Sequence, residues 1–303
     1  MKDFILSNGS KIPSICFGTG ITYLKDVGIN GKIQKMKCLA KALLNVDRKR
    51  SILNLTLPGI IECAMENGCN CFDCSRAYGA SEYTLGTTLR KYNRDSYYII
   101  TKLSNSDQYR GHVREGLESS LKEMGLDYID LYLMHWPVKD YFINSWLQME
   151  KLYLEGKCKA IGVCNCNIHH LEEIKKYATI MPMVNEIECH PLFTQTELRE
   201  YCKNHGIQII AYTSTARMDE RLWKTCLVDI AKKYHKNMAQ IILRWHYQIG
   251  NIPIFNSTSK EHIKDNLNLN DFELSKDEIV KICKININSR LRYDPDNCAF
   301  DKL

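Results

Sequence analysis

The sequence predicts an α/β protein built as an eight-stranded (β/α)8 TIM barrel. Three observations lead there. Eight short apolar runs rich in β-branched and aromatic residues recur along the 303 residues, with amphipathic stretches of helical period between them. Three of the four clearest of those stretches stop at a glycine, the usual left-handed end of a helix. Strands alternating with helices pair in parallel, and eight of them close a barrel.

The elements follow in order. "FILSNGSKIPSI" places Asn8-Gly9 between apolar residues, the mark of a β-hairpin, which would plug the bottom of such a barrel. The first barrel strand is "SICFGTG" (14–20) and the second is "NCFDCS" (70–75). The gap between them is too long for the rhythm. Within it, "IQKMKCLAKALL" puts Ile33, Met36, Ala40, Leu43 and Leu44 on one helical face and Lys35 and Lys41 elsewhere. We therefore expect an insertion over 25–57, an amphipathic helix followed by a basic turn at 47–50. It follows the first strand and so emerges on the active face.

Six further strands are read at "YYIITKL" (97–103), "YIDLYLMHW" (128–136), "KAIGVCN" (159–165), "MVNEIEC" (183–189), "IQIIAYTS" (207–214) and "IPIFNS" (252–257). Helices are expected at 112–125, 144–156, 167–178 and 194–206. No internal repeat or linker divides the chain, so one domain is expected over 1–303.

Hydrophobic content of 45% with 25% charge is that of a soluble globular protein. No apolar run reaches 18 residues and the start carries no signal-peptide core, so neither a membrane nor secretion is expected. With 14 cysteines in such a chain, the expectation is a reducing cytoplasm. Residues 25–50 hold eight basic and two acidic side chains, which accounts for the whole net charge of +6. A nucleic-acid binder is therefore not expected, and residues 32–50 read as a solvated helix face. The oligomeric state is not read from the sequence.

In a parallel barrel, functional groups stand at the C-terminal ends of the strands. The second strand ends at Asp73, with Tyr78 in its loop; the third delivers Lys102 and the fourth His135. Burial would raise a phenol's pKa and a touching ammonium would lower it, so Tyr78 beside Lys102 is expected to exchange a proton near neutral pH. Asp73 would keep the lysine charged, and His135 could bond a substrate oxygen. A proton donor without a nucleophile suits carbonyl reduction. The bland alternative is a structural Asp–Lys pair with a bystander tyrosine and histidine.

Other signals are weaker. Cys69, Cys71 and Cys74 have a metal-like spacing, but strand alternation sends Cys74 away from the other two and buried cysteine is an ordinary small hydrophobe. They read as packing, and no metal is expected. "GTG" lacks the third glycine of a dinucleotide fingerprint. His169 and His170 read as solvent-facing or capping, and His190 as structural.

At this point the chain resembles the aldo-keto reductase family. "FGTG", "FDCSRAYGASEYTLG", "ITKL", "LMHWP", "GVCNCN", "VNEIECHP", "AYTS" and "SRLRYDPDN" match it in order, almost end to end. The resemblance implies the same barrel, Tyr78 as general acid/base with Asp73, Lys102 and His135 in support, and hydride from a nicotinamide cofactor. Gly18 and Thr19 would border that cofactor. The family's Ser-Asn and Gln clamp on the carboxamide is here Cys164, Asn165 and Glu186, and a glutamate accepts where glutamine can also donate. Tyr212 would stack on nicotinamide. Thr213 and Ser214 would begin the pyrophosphate loop, with Arg217 contacting phosphate.

At the adenosine end, anchoring on Asp265 and Asn266 puts Asn256 and Ser257 where the family often has Lys-Ser, and His262 at its arginine. Both fixed cations for a 2′-phosphate are absent, and only Lys260 or Lys264 could compensate. NADPH is expected, with NADH open. In the substrate pocket, Gly20 replaces a common tryptophan while Trp136 is kept, so Tyr23 or the insertion would supply the missing wall. Deleting residues 28–50 is then expected to change Km more than cofactor affinity. The reading is a cytosolic reductase of a small-molecule carbonyl. Its rivals are a barrel serving as a non-catalytic regulatory or binding subunit, and a metal-dependent hydrolase using His135, His190 and the glutamates.

Overall fold

A computed structural model describes residues 1–20 and 57–299. The inserted helix, the basic turn at 47–50 and Tyr23 lie outside the described residues. Two short strands, β1 (Phe4–Ile5) and β2 (Lys11–Ile12), pair antiparallel around the Asn8-Gly9 turn. Gly9 has φ +83, a conformation that side chains resist.

Eight strands then close a parallel barrel: β3 (Cys16–Gly18), β4 (Cys71–Asp73), β5 (Tyr98–Leu103), β6 (Ile129–Met134), β7 (Cys158–Cys164), β8 (Val184–Glu188), β9 (Gln208–Tyr212) and β10 (Ile252–Phe255). They lie in chain order, and β10 pairs back on β3 through Ile254 opposite Cys16. All eight fall inside the runs read from the sequence or within one residue of them. The reason is burial. Every residue of β6 is buried, as in a strand covered on both faces, so each strand reads as a continuous apolar run.

The hairpin sits at the N-terminal end of the barrel. Asn8 donates to the Lys159 carbonyl at 3.0 Å, just inside β7, while Leu6 and Ile12 join the main core. Helices cover the outside at the expected places, among them Val113–Met124, Phe142–Leu154, Ile168–Tyr177 and Thr196–Asn204. The first of these ends at Gly125 with φ 68, its N–H returning to Leu121 and Lys122 carbonyls. A second apolar cluster, around Leu192, Leu222, Ile242 and Trp245, joins the helices after β9 to the helix Lys276–Cys283.

Candidate active site

The side chains that carry chemistry arrive from neighbouring strand ends. Asp73 closes β4 and pairs in register with Gly18 of β3 and Ile100 of β5. Thr19 holds that junction, its N–H and hydroxyl both donating to the Asp73 carbonyl at 2.8 Å. The chain then turns, with the Tyr78 N–H on the Ser75 carbonyl at 2.9 Å, so Tyr78 folds back over the strand ends. Lys102 is fully buried in β5. Its ammonium bonds Asp73 Oδ1, the Cys74 carbonyl at 3.1 Å and Glu186 Oε1 at 3.4 Å. The Tyr78 ring centroid is 5.2 Å from that ammonium, and the His135 ring meets the Tyr78 ring edge-on at 5.7 Å. Asp73, Tyr78, Lys102 and His135 therefore do come together.

Burial opposes the Lys102 charge, but Asp73 and then Glu186 outweigh it, and its pKa stands well above that of free lysine. For Tyr78, burial pushes the phenol up and Lys102 pulls it down less strongly. This corrects the expectation of a phenol titrating near neutral pH: desolvation wins, and Tyr78 rests as a neutral proton donor. Burial, then the Lys102 charge, lowers His135 to about 3, so its ring is neutral. The Ser75 hydroxyl, which accepts from the Ala77 N–H, lies 3.5 Å from His135 Nδ1. In the tautomer that carries its proton on Nε2, His135 Nδ1 accepts from this hydroxyl.

Asn165 follows β7 at φ 61. It donates to the His135 carbonyl at 3.0 Å and accepts from the Tyr212 hydroxyl at 2.6 Å. The Tyr212 ring is half-buried. Next to it, Thr213, Ala216, Arg217 and Met218 all take left-handed backbone conformations, a cost tolerated where the surroundings over-determine a loop. Arg217 is exposed. The Ser214 hydroxyl donates to the Ile254 carbonyl at 2.6 Å. Asn256 is exposed beyond β10, and Ser257 bonds Ser259, which caps the helix Lys260–Leu267. His262 is exposed on that helix, Asp265 is partly buried and Asn266 buried.

Trp136 is nearly buried beside His135. Gly20 lies against the Tyr78 ring. A Cβ there would lie 2.9 Å from Tyr78 Cε2, so glycine is what lets the tyrosine ring settle.

Sequence reasoning missed the clasp at the end of β8. Buried Glu188 accepts from the backbone N–H groups of Leu291 at 2.5 Å and Arg292 at 3.2 Å, and bonds His190 Nε2 at 3.0 Å. With Ile287 and Ser289 donating to the Leu192 carbonyl, this holds the stretch after the last helix across the active face. There it walls a cavity of ≈ 660 Å³ together with Pro137, Lys139, Phe142 and His169.

Cys69, Cys71 and Cys74 are core residues, and burial lifts all three thiols above their ordinary pKa. Among the described residues, His169, His170 and Asp296 form the one trio spaced like metal ligands. His170 Nδ1 accepts the Asn167 N–H at 3.1 Å as a helix cap, so its Nε2 keeps the proton a metal would need removed. His190 belongs to the clasp. Among the described residues, no helix is long and apolar enough to cross a membrane.

A family model described as the aldo/keto reductase family matches residues 56–287. The glyoxal reductase of Bacillus subtilis (strain 168) is 40% identical over 242 residues, which is 79% of this chain and 87% of that protein. MGS-M4, an aldo-keto reductase enzyme from a Medee basin deep-sea metagenome library, superposes with a TM-score of 0.84 at 30% identity, covering 98% of this chain and 99% of its own. The Bombyx mori aldo-keto reductase in complex with NADP gives a TM-score of 0.81 at 28% identity, over 97% and 96% of the two chains.

Proposed function

The chain belongs to the aldo/keto reductase family and is an oxidoreductase, and from that premise we propose that it reduces small aldehydes or ketones to alcohols, with a nicotinamide cofactor as reductant and Tyr78 as general acid. The observation that carries this reading is the meeting of a neutral Tyr78 with a buried, charged Lys102 and a neutral His135 on one barrel rim.

In the proposed reaction, the His135 Nε2–H and the Tyr78 hydroxyl both donate to the substrate carbonyl oxygen, polarising it. As charge builds on that oxygen, the Tyr78 O–H bond breaks and its proton completes the alcohol. The phenolate left behind faces the Lys102 ammonium, which Asp73 holds in place. When bound, the cofactor supplies the hydride that reaches the carbonyl carbon. The site's residues fit such a group. The half-buried Tyr212 ring offers a stacking face, the left-handed loop 213–218 is preformed, and Glu186 Oε2 is buried with no donor among the described residues.

Asn256 and His262 offer no fixed cation to a 2′-phosphate, and Lys260 and Lys264 are exposed nearby. We therefore propose NADPH, with NADH also accepted. The glyoxal reductase relative makes glyoxal the first carbonyl to try. The test is glyoxal-dependent oxidation of NADPH and of NADH, beside titration of each by tryptophan quenching. Turnover with either supports the reading. Binding without turnover of any small carbonyl would favour a non-catalytic cofactor-binding subunit, and no binding at all would end the nicotinamide reading.

A further inference from the structure

We propose that Glu186 shares one proton with Asp73 above the Lys102 ammonium, and that Tyr78 gives up its own proton readily only while that shared proton is present. The proposal rests on the reading of Tyr78 as proton donor and makes Glu186 a positioning residue that acts through Lys102.

The Lys102 ammonium donates to Asp73 Oδ1 and to the Cys74 carbonyl at 3.1 Å, and pairs with Glu186 Oε1 at 3.4 Å. Glu186 is 3% exposed, and its Oε2 has no donor among the described residues. Asp73 Oδ1 and Glu186 Oε1 both contact the same ammonium, so the two buried carboxyls are close neighbours. Two ionised carboxylates can only repel there, whereas one proton turns the contact into a strong O–H···O⁻ bond.

The other groups facing Glu186 offer no rescue. Among the described residues, Lys102 is the only cation that faces it. Asp73 adds to the repulsion, and burial keeps the thiols of Cys16 and Cys164 and the phenols of Tyr78 and Tyr212 neutral. Burial first and the Asp73 charge second push Glu186 up to about 8.

The consequence falls on Tyr78. With the proton in place, Asp73, Glu186 and Lys102 sum to zero charge, and a phenolate forming at Tyr78 meets an ammonium balanced by a single carboxylate. Without it the cluster carries a net negative charge, and making a second anion beside it is disfavoured. A glutamine at this position could not lose a proton.

The test compares the pH dependence of kcat for glyoxal reduction in the wild type and Glu186→Gln. The wild type should lose about tenfold per pH unit above the Glu186 transition, and the variant should run flat through the same range. Infrared spectroscopy adds a readout free of turnover: a protonated-carboxyl C=O band in the wild type at neutral pH, lost on alkalinisation and missing from the variant. The same alkaline limb in both proteins, or no such band in the wild type, overturns the proposal. If neither protein turns over, the reductase reading fails, and the band alone then decides the shared proton.

Discussion

The Tyr212 hydroxyl donates to Asn165 Oδ1 at 2.6 Å, so the last residue of β9 fixes the first residue after β7. Asn165 in turn holds the His135 carbonyl. One hydroxyl thus steadies both the stacking face and the histidine. Tyr212→Phe keeps the ring and removes the bond, which should cost about 1 kcal/mol of stability. If the tie also orders the cofactor face, NADPH affinity should fall about fivefold. Thermal melts and fluorescence titration separate the two effects, and an unchanged Kd would confine the bond to folding.

Tyr78→Phe removes a proton and little else. The ring contact with His135 can persist, and Lys102 keeps its bonds to Asp73, Glu186 and the Cys74 carbonyl. Loss of a general acid should lower kcat by at least about a hundredfold, with the Kd for NADPH within about twofold of the wild type. Substantial retained turnover would take the acid role away from Tyr78.

Gly20→Ala is expected to act on catalysis more than on folding. The new methyl would stand 2.9 Å from Tyr78 Cε2 and 3.1 Å from Cδ2, closer than side-chain carbons pack, so the ring must move. A displacement near 1 Å at a proton donor can cost on the order of a hundredfold in rate. Steady-state kinetics beside a melting curve would show it, and an unaltered kcat would mean the tyrosine has slack.

Acid should loosen the loop that begins with Thr213. Buried His246 donates from Nε2 to the Ser214 carbonyl at 3.0 Å and accepts from Asn251 at Nδ1, so protonation would cost the Asn251 bond. Burial lowers its pKa from 6.5 to about 3. The unfolded chain then binds the extra proton more readily between those values, and stability falls as pH drops through that window. From pH 7 to pH 5 this one histidine should cost about 2 kcal/mol. Denaturant unfolding at the two pH values should show a smaller drop in His246→Gln, and equal drops would clear His246 of the effect.

The barrel was legible in the sequence because its signal is local. Each strand is buried on both faces and announces itself as an apolar run, and Gly125 stops its helix at the position read for it. Asp73, Lys102 and His135 could be placed for the same reason, since a strand end fixes a side chain's level in the barrel. What escaped were partnerships between strands. Glu186 beside Asp73, Glu188 against Leu291 and Arg292, and Asn165 between His135 and Tyr212 depend on register and rotamer, which no local pattern encodes. The Tyr78 pKa was misjudged because a sequence names the charged neighbour without weighing its desolvation.

Part of the grip on the stretch after the last helix is made to its main chain. The Leu192 carbonyl takes the N–H groups of Ile287 and Ser289, and Glu188 takes those of Leu291 and Arg292. Peptide hydrogens are common to nearly every residue, so these anchors put little demand on which side chains follow. Pro295 and Cys298, which line the cavity beyond the clasp, can then be exchanged while these anchors survive, whereas Asp296 is held through its side chain by Asn167 and His169. The lining of this cavity can therefore vary at Pro295 and Cys298 at small risk to the fold, and a duplicated copy could reshape it by altering a handful of codons.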